Sequence, residues 1–152
     1  MVTITFLTKV QNSNGSMALK IYNEDLLLYE QDNFTEGPGQ INFITNWPSV
    51  ITIYASNKKN VDTIFNNKGQ VIADKAVEIT GILINGFAVH IDMIDKLFHC
   101  IRDGSNITTH ENYWGFNGCI KINFTGESPM RYMLELGNQF DVNRLEWQDG
   151  KK

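Results

Sequence analysis

Hydrophobic side chains recur at every second residue in this chain, in short runs separated by Gly, Asn and Pro. A half-buried antiparallel strand imposes that period, because successive side chains point to opposite faces of a sheet. Thr3 to Lys9 alternates Ile4 and Phe6 against Thr3 and Thr5, and Gln11 to Gly15 supplies a turn. Met17 to Tyr22 and Leu26 to Glu30 form a hairpin across Asn23-Glu24-Asp25. Glu36-Gly-Pro-Gly39 reads as a break before Gln40 to Thr45, and Trp47-Pro48 ends that run because proline cannot donate to a ladder. Val50 to Ala55 is the strand best supported by β-branched and aromatic content. Val71 to Ala73 is a short strand, and Val77 to Ile84 and Phe87 to Ile91 flank Asn85-Gly86, a strong hairpin signal. Cys119 to Phe124 and Met130 to Leu136 complete the series.

One segment departs from the alternation. Met93, Ile94, Leu97, Phe98 and Ile101 fall at helical spacing, so residues 91–101 form either one short helix or an irregular strand. About nine to eleven short strands with turn residues between them predict an all-β fold, an antiparallel β-sandwich of jelly-roll type with at most one short helix. The chain of 152 residues is large enough for one hydrophobic core, and its 42% hydrophobic and 20% charged residues exclude a disordered chain. A single domain is expected over residues 1–147, with 148–152 as a frayed polar tail.

Charge narrows the partners. The formal net charge is −4, and arginine occurs only at Arg102, Arg131 and Arg144, so no basic stripe for nucleic acid is expected. No apolar stretch is long enough for a membrane helix, and the N-terminus lacks the basic region of a signal peptide. A cytoplasmic location, or a particle assembled there, is the expectation. Cys100 and Cys119 lack C-x-x-C spacing and are expected as two buried free thiols, pairing across neighbouring strands being the alternative.

No catalytic constellation is present. Gly-rich phosphate loops, H-E-x-x-H and G-x-S-x-G are absent, and no nucleophile–base pair can be named, so a non-enzyme is expected. His90 and Asp92 alternate on one strand face and could form a two-ligand metal arm, although an exposed polar face or a satisfied histidine explains them better. Calcium is the cofactor with the best candidate ligands. Asp62, Asn66 and Asp74 (with Asn67) offer hard oxygens in a polar stretch, but their order does not match an EF-hand and Lys68 opposes a cation. Aromatic residues near strand ends, Trp47, Tyr54, Tyr113, Trp114, Phe116 and Trp147, could stack on sugar rings, with Trp47, Tyr113 and Trp114 as the platform candidates. Large rings also fill cores, and Tyr113 to Phe116 fits that role, with Gly115 and Gly118 letting the backbone turn.

Several short motifs occur in a recurring order: Val50 to Lys58, Val61-Asp-Thr63, Gly69 to Ile72, Asp74-Lys75, Ile84 to Phe87, and Tyr113-Trp-Gly-Phe-Asn-Gly118. In that order the chain resembles small β-sandwich proteins of tailed bacteriophages, found as virion or virion-associated components. Its general build is also similar to jelly-roll carbohydrate-binding modules, where a hairpin of the Ile84-Asn85-Gly86 kind is common. The phage resemblance implies a non-catalytic structural or decoration module of a capsid, neck or tail, contacting other virion proteins or copies of itself. The second likeness implies a sugar-binding module that uses surface aromatics, with calcium as an optional aid and a cell-surface glycan as partner.

Overall fold

The computed structural model describes residues 1–137. The expected domain end at Trp147, the ring of Trp147 and the tail 148–152 lie outside the described residues. The strands are, in chain order, β1 (Val2–Asn12), β2 (Ala18–Asn23), β3 (Leu26–Gln31), β4 (Gly37–Thr45), β5 (Ser49–Ser56), β6 (Ile64–Phe65), β7 (Val71–Ala73), β8 (Lys75–Ile84), β9 (Phe87–Ala88), β10 (His99–Arg102), β11 (Thr109–His110), β12 (Tyr113–Trp114) and β13 (Gly118–Phe124). They form an antiparallel β-sandwich, as the alternation predicts. One sheet has the order β12-β8-β1-β4, with β9 on β8; the other has β11-β10-β13-β5-β2-β3; β6 and β7 make a separate small hairpin.

The core lies between the two sheets and follows directly from the alternation. In β5, Ile51, Ile53 and Ala55 are buried while Val50, Tyr54 and Ser56 face out. Ile4 and Phe6 of β1, Ile41 and Phe43 of β4, and Ile120 and Ile122 of β13 close the same core. Phe6, Phe98 and Trp114 pack edge to face with centroids 4.9–6.3 Å apart, the geometry that aligns a positive ring edge with a negative ring face.

Three local expectations change. Gly37-Pro38-Gly39 does not break the chain but opens β4, with Pro38 opposite Lys9. This is tolerated because β4 is an edge strand, where a missing N–H removes no ladder bond. Residues 91–101 are neither one helix nor one strand. A 3₁₀ turn (Ile91–Met93) leads into a single helical turn, α1 (Ile94–Leu97), and β10 follows.

The third change is larger. Met130 to Leu136 is a helix, not a strand: residues 129–137 form α2. Ser128 caps it, its hydroxyl accepting from the Arg131 N–H at 3.2 Å, and Pro129 takes the first helical position, where its missing N–H costs nothing. Tyr132 and Leu136, one helical turn apart, are the buried pair.

The thiols stay free. Cys100 sits opposite Ile120 and faces the core, whereas Cys119 sits opposite Ile101 and Tyr54 on the outer face. Neighbouring strands therefore carry them on opposite sides of one sheet. Burial pushes the Cys100 thiol up to about 11.

Candidate functional site

At one end of the sandwich, β5 leaves the sheet at Ser56 and the chain crosses to the β6–β7 hairpin, returning through Asp74 into β8. The crossing carries charged side chains into a buried place, so each must find a partner. Lys75 and Asp62 are 3% and 1% exposed, and the Lys75 ammonium lies 3.1 Å from Asp62 Oδ2. The Lys59 N–H donates to the same oxygen at 2.7 Å, and Lys75 also donates to the Asn57 carbonyl at 3.1 Å.

Beside this pair lies a second. Asp74 accepts from the Lys58 ammonium, from Thr63 Oγ1 at 2.8 Å and from the Lys75 N–H at 2.8 Å, all on Oδ1. Its Oδ2 accepts from the Tyr113 hydroxyl at 2.5 Å. Burial alone would raise both carboxyls. The Lys59 N–H, the Lys75 ammonium and the Asn14 amide outweigh it at Asp62, and the Lys58, Tyr113, Thr63 and Lys75 donors outweigh it at Asp74. Both acids are therefore held below the ordinary carboxylate range. Burial, reinforced by the adjacent Asp74 charge, raises Tyr113, which stays a neutral donor.

Two carboxylates and two ammoniums thus form a closed, neutral set beneath the loops. Gly115 lets the strand bearing Tyr113 come close: a β-carbon there would lie 3.4 Å from Asp74 Oδ2 and 3.1 Å from the Tyr113 ring. Asn117 ties the loops above, accepting from the Lys58 N–H at 2.8 Å and donating to the Lys58 carbonyl at 2.9 Å. Its own carbonyl accepts from the Asp103 N–H at 2.9 Å. Gly118 is required where β13 meets β10, since a β-carbon would stand 2.4 Å from the Ile101 carbonyl oxygen.

Over this floor opens a cleft of about 560 Å³, walled by the loops around Asn60 and Thr63, the Arg102-Asp103 corner and the Gly115 to Asn117 turn. Its rim carries Phe65, 58% exposed. The Asn60 amide and the Asp103 carboxylate make no hydrogen bond to a described residue. Arg102 donates to Glu111 at 2.8 Å and lies over the Phe116 ring at 4.9 Å, with further donors to spare. A cleft with an amide, a guanidinium, a carboxylate and one exposed flat ring can bind a polyhydroxylated ligand.

The structure brings together three of the six residues singled out from the sequence. Asp62, Asp74 and Tyr113 meet in the buried set, but in roles other than those expected. Trp114 is 0% exposed, its Nε1 donating to the Glu111 carbonyl at 3.0 Å, so neither ring face is available to a sugar. Trp47 is half-buried against Phe124 and Tyr132, both at 5.4 Å, and fastens α2 to the sandwich. Tyr113 points its hydroxyl inward at Asp74. Asn66 sits at the tip of the β6–β7 hairpin, where its Oδ1 accepts from the Lys68 and Gln70 N–H groups at 2.9 and 3.0 Å. The calcium reading therefore does not fit Asp62, Asn66 and Asp74: Asn66 Oδ1 is taken by its own hairpin, and ammoniums hold the two carboxylates where a cation would need them. His90 and Asp92 pair with each other in the loop after β9, with His90 Nδ1 3.8 Å from the Asp92 carboxylate.

Sequence reading missed Lys58, Lys75, Asn60, Phe65, Arg102 and Asp103. Lys75 carried a usable signal, since a lysine opening the apolar run Ala76 to Ile84 must be paired or strand-terminal.

The fold has counterparts among solved proteins. This chain shares its β-sandwich fold with a carbohydrate-binding module. A structure of vCBM60 in complex with galactobiose matches with a TM-score of 0.52 at 14% identity, covering 80% of this chain and 97% of that one. A selenomethionine form of vCBM60, described under a circular permutation linking two families of calcium-dependent carbohydrate binding modules, matches with a TM-score of 0.53 at 12% identity, covering 85% and 97%. No known sequence family and no curated protein matches the chain. Both structural neighbours are described as carbohydrate-binding modules, so that likeness gains support and the bacteriophage resemblance gains none.

Proposed function

We propose that the chain is a non-catalytic carbohydrate-binding module whose glycan contacts lie in the loop-end cleft. The observation that carries this reading is the grouping of Asn60 and Asp103, whose side chains make no hydrogen bond among the described residues, with Arg102 and the exposed Phe65 ring around one open cavity. Asn60, Asp103 and Arg102 supply directional hydrogen bonds to hydroxyls, and Phe65 supplies a face for the apolar side of a pyranose. The Lys58–Asp74 and Lys75–Asp62 pairs set the floor without a metal, so binding does not run through calcium at Asp62, Asn66 or Asp74. The fold shared with a module solved with galactobiose supports the ligand class. The virion-decoration reading has no structural neighbour behind it.

A glycan array including galactobiose, followed by calorimetry with and without a chelator, tests this. Binding should be indifferent to the chelator. Phe65→Ala and Asp103→Ala should each weaken it by about tenfold, or 1.4 kcal/mol, at unchanged melting temperature. Absence of binding across the array, or full affinity in the double variant, overturns the proposal.

A further inference from the structure

On the outer face of the six-stranded sheet two histidines that do not line the cleft face each other across β10 and β11. His99 and His110 are direct ladder partners. His110 Nε2 lies 3.1 Å from His99 Nδ1, with ring centroids 4.7 Å apart and planes inclined by 68°. We propose that this pair is a two-imidazole binding site for a borderline divalent transition metal such as Zn²⁺, Ni²⁺ or Cu²⁺.

The separation of the two nitrogens is the central fact. Metal–imidazole bonds of roughly 2.0–2.1 Å, at angles between octahedral and tetrahedral, place two adjacent ligand nitrogens about 2.9–3.4 Å apart. The pair therefore has a metal's bite before any ion arrives, and a cation can take the place of the single proton the two nitrogens share. On coordination the shared proton moves to the far nitrogen of the ring that carried it, so His99 Nε2 and His110 Nδ1 each hold one proton and both rings bind in the neutral form that coordination requires.

Ligand type selects the metal. Imidazole nitrogen suits zinc, nickel and copper and is poor for calcium or magnesium. His110 is exposed and β11 is the edge of its sheet, so an ion reaches the site from solvent and water completes its coordination sphere. On the other side of His99 the ladder places Lys121, followed by Thr52 and Tyr22. The Lys121 ammonium is a like charge, and its flexible exposed stem lets it withdraw into solvent.

The test is calorimetric titration of the tag-free full chain with Ni²⁺, Cu²⁺ and Zn²⁺ in a non-coordinating buffer. One equivalent should bind, and His99→Ala and His110→Ala should each weaken binding by at least tenfold, with His90→Ala as an unaffected control. A second readout holds even if a variant misfolds. Zn²⁺ added to the wild-type chain should move the imidazole resonances of His99 and His110 and leave those of His90 in place. A wild-type chain that binds none of the three ions, or a His99→Ala/His110→Ala double variant that binds as tightly as wild type, overturns the site, leaving an ordinary His–His hydrogen bond.

Discussion

Lys75 occupies a position that no charged side chain tolerates alone. Its ammonium has left water almost completely, and Asp62 Oδ2 and the Asn57 carbonyl replace the lost hydration. Removing one partner leaves the other charge buried and unpaired, which is worse than never having placed either charge there. Lys75→Met should therefore cost about 3–5 kcal/mol, and Asp62→Leu a similar amount. The double variant should recover most of that loss, because an apolar pair of similar volume carries no desolvation penalty. Urea melts of the four proteins in this cycle measure the coupling. Additive losses would show that the two side chains act separately. Gly118 works at the same scale for a different reason: the Ile101 carbonyl occupies the place of its missing side chain.

At the scale of elements, alternation was a faithful guide wherever a strand has one wet and one dry face. In β5, Ile53 meets Ile21 and Ile120 across the ladder and is wholly buried, while Thr52 lies on the outer row between Tyr22 and Lys121. Ile53→Asp should cost more than about 3 kcal/mol, and Thr52→Asp about 0.5 kcal/mol. Thermal melts of the two variants check the facing, and equal losses would mean that the face assignment is wrong. The pattern misleads at α2. Met130, Tyr132, Leu134 and Leu136 alternate as a strand would, yet Met130 and Leu134 are exposed and only Tyr132 and Leu136 are buried. Those two stand four residues apart, as a helix requires, and Ser128-Pro129 is a start signal for one. Residues 91–101 were ambiguous for the opposite reason. Their helical spacing belongs to a 3₁₀ turn and one helical turn, which end at Phe98, the residue before β10.

The molecule as a whole carries its ionisable groups in an arrangement that sets its response to pH. Asp62 and Asp74 titrate below the ordinary carboxyl value, so their stabilisation is complete above about pH 3.9 and is lost as pH falls below it. Burial raises Cys100 to about 11 and Tyr132 to about 12. An unfolded thiol ionises near pH 8.5, so stability declines again as pH rises beyond that point toward the folded values. The melting temperature should then run flat between these limits and fall on both sides. Asp74→Asn should show a shallower acid limb. An acid limb identical to that of the wild type would remove Asp74 from the account.

Fold class and the positions of the long two-faced strands were determined by the sequence alone, because burial on one face of a sheet is written into every second residue. The absence of a recognisable catalytic motif was legible in the same way. The site was not, since its members come from positions as distant as Lys58, Asp74, Arg102 and Asn117, and their roles depend on who stands opposite. Asp62 and Asp74 looked like cation ligands until the fold placed the ammoniums of Lys75 and Lys58 against them. Trp114 could be a platform or a core ring by sequence, and Phe6 and Phe98 closing over it make it core. Side-chain type limits what a residue can do, but a charge or a ring acquires its role from partners brought close by the tertiary fold, and sequence spacing does not record that distance.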